Sequence, residues 1–75
     1  MTETEVRWKI VRLYDWISSE RRFYLTQWEI TEDEGMKTYY GEKASTYTSI
    51  KLYMEKYFKG LISSQRIQET KINGL

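Results

Sequence analysis

The sequence contains no cysteine, no histidine and no proline in its 75 residues. Without cysteine there is no disulfide framework and no thiolate metal site. Without histidine the chain lacks the most common general base, the usual activator of a serine nucleophile and the most common metal ligand. The four glycines are scattered, so they form no phosphate-binding loop. We therefore expect a protein that is not an enzyme, with no catalytic residue, no metal and no cofactor.

Strong net charge and long hydrophobic runs are also missing. The net charge is +1, and no apolar stretch approaches the length of a membrane helix. The first ten residues, MTETEVRWKI, lack the basic start and apolar core of a signal peptide. These features predict one small domain over residues 1–75 and a cytoplasmic location, with no membrane partner.

Aromatic residues are abundant, with seven Tyr, three Trp and two Phe making up 16% of the chain. Large aromatic side chains suit a small core because each one buries much surface. The charges are unevenly spread: residues 29–42 hold five carboxylates against Lys37, between two mildly basic segments. Consecutive acids in a turn usually point into water, so the acidic stretch is read first as solvated surface.

Residues 45–62 show the clearest helical period. Their apolar side chains fall on one stripe at intervals of three and four, with lysines on the other side, and Ser45 or Thr46 is a candidate N-cap. The predicted stripe consists of Tyr47, Ile50, Met54, Tyr57, Phe58 and Leu61. This segment predicts an amphipathic helix.

Residues 5–17 fit two structures. Their β-branched and aromatic residues favour a strand. A helix would align Val6, Ile10, Leu13 and Ile17, and the spacing of Thr2 and Glu5 resembles a capping box. We favour the strand because the helix leaves several large side chains off its stripe.

The middle of the chain alternates in the manner of strands. We predict a strand over residues 22–31, a turn over residues 31–35 with Gly35 free to take a positive φ, and a short strand over residues 36–41. Residues 65–72 fit either a short edge strand or a loose tail. The predicted fold is α+β, a three-stranded antiparallel sheet followed by one amphipathic helix, and the alternative is helix, β-hairpin, helix.

The first functional hypothesis is a small nucleic-acid-binding or regulatory module. Aromatic residues lie beside basic ones, and a sheet face of this composition stacks bases and holds phosphates in several single-strand binders. The candidate binding residues are Arg7, Trp8, Lys9, Arg12, Arg21, Arg22 and Tyr24.

The second hypothesis is a protein-interaction module, such as an inhibitor, adaptor or small subunit. One helix covers one face of a three-stranded sheet, so the other face would expose apolar side chains and mark an interface. The candidate interface residues are Val11, Leu13, Phe23 and Leu25. A homodimer is the expected way to bury them.

Overall fold

The computed structural model describes residues 2–63 and Ile67. Over these residues the chain forms two helices, α1 (Glu3–Ile30) and α2 (Glu34–Tyr57), joined by a connection of residues 31–33. The helices run antiparallel and pack along their length as a hairpin, in a molecule 47 × 23 × 16 Å across.

The predicted α+β fold is wrong. The described part of the chain contains no strand, and residues 5–17, 22–31 and 36–41 all belong to helices. The alternative of helix, β-hairpin, helix roughly fits, because its two helices correspond to α1 and α2, although the described residues have no β-hairpin between them. The predicted turn at residues 31–35 overlaps the observed connection. The predicted strand or tail at residues 65–72 lies outside the described residues, apart from Ile67.

Local signals explain where α1 begins. Thr2 is its N-cap, and its hydroxyl oxygen accepts a hydrogen bond from the Glu5 backbone N–H at 3.2 Å. Glu3 and Glu5 lie in the first turn, where carboxylates oppose the positive end of the helix dipole. The Thr2 and Glu5 spacing that resembled a capping box therefore marks the true start of a helix.

Helix α2 begins eleven residues before the predicted Ser45. Its N-cap is Asp33, whose carboxylate accepts from the Met36 backbone N–H at 3.0 Å. The helix ends at Tyr57, where the Phe58 backbone N–H still donates to the Met54 carbonyl at 2.8 Å. The predicted helix over residues 45–62 was right in type for most of its length and wrong at both ends.

The contact between the helices, here called the seam, follows intervals of three and four residues on each helix. Its members on α1 are Arg7, Ile10, Tyr14, Ile17, Arg21, Tyr24 and Trp28, and its members on α2 are Lys37, Ala44, Tyr47, Thr48, Lys51, Met54 and Glu55, followed by the C-cap residue Phe58. Alternating intervals of three and four are the heptad spacing of helices packed side by side. Polar side chains occupy many of these positions, which hid the seam from the search for apolar stripes.

The apolar core lies toward the end of the hairpin that is distant from the connection. Tyr14, Ile17, Met54 and Ile62 are buried together there. Partly buried Ile10, Tyr47, Phe58 and Ile67 pack around them. Of the predicted stripe, Tyr47, Met54 and Phe58 face α1, whereas Ile50 and Tyr57 are exposed. Neither described helix is long and apolar enough to span a membrane.

Candidate protein-interaction site

Six aromatic rings form a continuous cluster along one side of the hairpin. Tyr24 is at its centre and stacks on Tyr47, with ring centroids 5.7 Å apart and planes 9° from parallel. Trp16 meets Tyr47 edge-on at 5.9 Å, and Phe23 meets Tyr24 at 5.2 Å. Tyr39 and Tyr40 complete the cluster, at 6.4 and 6.2 Å from Tyr24. Such offset and edge-to-face pairs are the favoured geometries of aromatic rings.

The cluster changes the acidity of its central residue. Partial burial raises the pKa of the Tyr24 phenol above the ordinary tyrosine value, and the neighbouring Tyr39, Tyr47 and Glu20 raise it further. Tyr24 therefore stays neutral over the physiological range. It contributes a polar hydroxyl on a largely apolar surface.

On α2 the cluster continues into a stripe of exposed side chains. Tyr39, Ile50, Tyr53 and Tyr57 follow one another at eleven, three and four residues, so they lie on one side of the helix. Tyr39 contacts the cluster, which places the whole stripe on the cluster's side of the hairpin. The Tyr53 and Tyr57 rings lie 4.3 Å apart.

A matching stripe lies on α1. Val6, Leu13, Trp16 and Phe23 are spaced by seven, three and seven residues and so share one side of the helix. Trp16 and Phe23 belong to the aromatic cluster, so this side is also the cluster's side. The eight side chains of the two stripes are here called the aromatic face: Val6, Leu13, Trp16, Phe23, Tyr39, Ile50, Tyr53 and Tyr57. Their exposed fractions range from 37% to 60%.

Two of the predicted nucleic-acid-binding arginines lie in the seam. The Arg7 guanidinium donates to the carbonyl oxygens of Gly60 and Leu61 at 3.3 and 3.5 Å, just beyond the end of α2. Arg21 Nε donates to Thr48 Oγ1 at 2.6 Å. Both guanidinium groups join α1 to the second half of the hairpin.

The other predicted nucleic-acid-binding residues are spread over more than one side of α1. Arg12 lies over the Trp8 ring at 4.7 Å from its centroid, and both are exposed. Lys9 lies four residues before Leu13 and seven before Trp16, so it is on the aromatic side of α1. Arg22 is exposed on a different side of the helix. Tyr24 is the centre of the aromatic cluster. The seven residues are therefore not gathered on one surface.

The four predicted interface residues divide into two pairs. Leu13 and Phe23 are exposed on the aromatic face. Val11 and Leu25 are half-buried elsewhere, Val11 beside Arg7 and Leu61, and Leu25 beside Trp28. The sheet that was expected to present all four does not exist, so only the first pair lies on a shared exposed surface.

A shallow groove runs along another side of the hairpin near the connection. It is lined by Leu25, Trp28, Gly41, Ala44, Ser45 and Thr48. Lys37 Nζ lies 4.3 Å from the Trp28 ring centroid and donates to the Trp28 carbonyl oxygen at 2.9 Å. A cation of the chain itself therefore already occupies the face of this ring.

The described residues contain no group of three or more carboxylates close enough together to bind a metal ion. In the acidic connection, the Asp33 carboxylate caps α2, while Glu32 and Glu34 are exposed. Three buried or half-buried polar side chains form a cluster in the seam. Lys51 Nζ and the Tyr14 hydroxyl each donate to Glu55 Oε2 at 2.7 Å. This group connects the two helices.

Most of the aromatic face lies outside the residues predicted as an interface. Trp16 and Tyr39 fall in predicted strands, and Ile50 and Tyr57 belong to the predicted apolar stripe. The signal that could have found them is a second set of large side chains at helical intervals, about a third of a turn from the seam. Comparison of the chain with family models, with curated proteins and with solved structures gave no match.

Proposed function

We propose that this protein is a non-enzymatic protein-interaction module that binds a protein partner through the aromatic face. The observation that supports this most is the continuity of the face, with eight large side chains on one side of a two-helix hairpin. Contiguous apolar surface of this extent is typical of interfaces. The absence of histidine and cysteine from the sequence fits a binding role.

The shape and composition of the aromatic face favour a helical partner. Parallel rows of side chains at intervals of three and four leave grooves into which a neighbouring helix fits. The face is rich in Tyr and Trp, the residue types that most often dominate binding energy. Its tyrosine hydroxyls can hydrogen-bond at the rim while the rings are buried.

The nucleic-acid hypothesis has weaker support. Arg7 and Arg21 donate within the hairpin, and Arg22 lies on a different side of α1 from Lys9 and Arg12. A phosphate backbone binds best to cations gathered on one surface. Nucleic-acid binding remains a prediction, and so does the cytoplasmic location.

A pull-down with two matched variants tests the proposed function. Trp16 and Trp8 are the same residue type on the same helix and are similarly exposed, 53% and 56%, but only Trp16 lies on the aromatic face. Tagged wild type, Trp16→Glu and Trp8→Glu are recovered from cells that also make an untagged copy, with and without nuclease. Circular dichroism checks that each variant is helical.

The expected result is a co-purifying protein, the untagged copy or another chain, that survives nuclease treatment. Trp16→Glu should reduce its recovery at least tenfold, because a charge in an apolar interface costs more than about 1.4 kcal/mol. Trp8→Glu should leave it unchanged. Loss with Trp8→Glu alone, nuclease sensitivity, or no co-purifying protein contradicts the proposal.

A further inference from the structure

We infer that the partner on the aromatic face is a second copy of this chain, arranged by a two-fold axis that pairs α1 with α1 and α2 with α2 in antiparallel. This inference rests on the proposed function and names its partner. The product is a four-helix bundle in which every neighbouring pair of helices is antiparallel. Four observations carry the inference.

The first observation is that one hairpin has a small core. Only five apolar side chains of the described residues are buried, namely Tyr14, Ile17, Ala44, Met54 and Ile62. Two helices can shield only the strip between them, and most helical stability comes from packing of apolar faces. The folded hairpin therefore needs a partner that buries its aromatic face at all times. A second copy is the one partner that is always present with it.

The second observation is the internal symmetry of the stripe on α1. About a point between Tyr14 and Asp15, Val6 mirrors Phe23, and Leu13 mirrors Trp16. Two antiparallel copies of α1 that cross at this point place each apolar residue of one copy opposite an apolar residue of the other. A two-fold interface requires this kind of self-complementarity.

The stripe on α2 is symmetric at the same level of the hairpin. Ile50 and Tyr57 lie on either side of Tyr53, so antiparallel copies of α2 that cross near Tyr53 pair Ile50 with Tyr57. Tyr14 lies at this level, because its hydroxyl bonds to Glu55 and its ring lies 5.7 Å below Lys51 Nζ. A single two-fold axis can therefore relate the two copies of α1 and the two copies of α2.

The third observation is a charge pair with the same symmetry. Lys9 mirrors Glu20 about the point between Tyr14 and Asp15. Within one copy these two are eleven residues apart, about 16 Å along the helix, which is too far for an ion pair. In the antiparallel dimer, Lys9 of each copy lies opposite Glu20 of the other. Each Lys9 is thus paired with a Glu20 across the axis, twice in the dimer, and such charge pairs set the orientation of packed helices.

The fourth observation is the area available. The overlap includes seven members of the aromatic face, all except Tyr39, with exposed fractions of 37% to 60%. At roughly 200 Å² for a large side chain, they offer about 700 Å² per copy. A stable standard-size interface uses about 800 Å² per partner, which the flanking polar residues complete.

A charge-swap cycle tests both the partner and the register. Sedimentation equilibrium at low salt is measured for wild type, Lys9→Glu, Glu20→Lys and the double variant Lys9→Glu/Glu20→Lys. Each single change creates two like-charge contacts in the dimer, and the double variant restores two attractive pairs. We expect each single variant to dissociate about tenfold more readily, and the double variant to recover to within about threefold of wild type.

The control is Arg22→Glu, which changes the charge of α1 by the same amount away from the aromatic face and should leave dissociation unchanged. A double variant no tighter than the single variants overturns the inferred register. A wild-type chain that stays monomeric overturns the second copy as partner. The proposed function survives that last result if Trp16→Glu, but not Trp8→Glu, still abolishes capture of a different protein.

Discussion

Lys51 is one of the most buried residues of the hairpin, with 4% of its surface exposed, although lysine is rarely buried unless it is paired. Its ammonium group donates to Glu55 Oε2 at 2.7 Å and lies near the Tyr14 ring. Tyr14 donates to the same carboxylate oxygen from α1. Removing one partner of such a buried pair costs more than the intact pair contributes, because it leaves a charge buried without compensation.

Replacing Lys51 with Met should therefore destabilise the protein, even though methionine suits a helix seam. The change removes the Lys51 ammonium from the Glu55 carboxylate, which is 11% exposed, and the free energy of unfolding should fall by about 2–3 kcal/mol. Urea unfolding followed by circular dichroism at fixed protein concentration measures the loss. Lys56→Met, at an exposed position of the same helix, is the control. Equal stability of the two variants would show that the buried pair is not important for the fold.

Single residues of this kind set the limit of what the sequence could reveal. Met54 was correctly predicted as core because it lies on an apolar stripe. The contacts of Arg7, Arg21 and Lys51 with the other half of the hairpin were not predicted, because lone cations are usually solvated. These contacts become visible only when the carbonyl, threonine or tyrosine opposite each cation is known, and they join residues 27 to 54 positions apart.

At the scale of elements, α1 was misread because its β-branched and aromatic residues resemble those of a strand. Both periods were present in residues 5–17, and the local cap at Thr2 supported the helix. In α2 the misleading residue was Gly41, which was taken as the end of a strand. In the structure it lies inside the helix, where a Cβ atom would come within 3.2 Å of the Trp28 ring. The lack of a side chain at Gly41 lets α2 approach the Trp28 ring closely.

Gly41→Leu should separate the helices near the connection. A branched side chain cannot share this space with the Trp28 ring, so we expect a loss of about 1–3 kcal/mol in unfolding free energy and a shift in Trp28 emission. Gly41→Ala is the matched control. Its single methyl group needs only a small movement of Trp28, and the better helix propensity of alanine offsets the cost, so its stability should stay within about 1 kcal/mol of wild type. A fully stable Gly41→Leu would mean that the contact is loose.

For the whole molecule, the inferred dimer makes thermal stability depend on concentration. Folding that is linked to association gains about 1.4 kcal/mol for each tenfold rise in protein concentration. For a dimer of this size the midpoint of thermal unfolding should rise by about 3–5 °C per tenfold. Circular dichroism melting at three concentrations over a hundredfold range measures this shift. A midpoint that does not move would show that the hairpin is stable alone.

The short connection at residues 31–33 has a consequence for how the chain folds. Lys37 and Trp28 meet after closure of a loop of nine residues, whereas Tyr14 and Glu55 meet only after closure of one of forty-one. The entropy cost of closing a loop is smallest for short separations. The helices can therefore begin to pair beside the connection, and their contact can then extend toward Arg7 and Gly60. The apolar core lies at the far end of that path, so its side chains from the two helices meet only after the longer loops have closed.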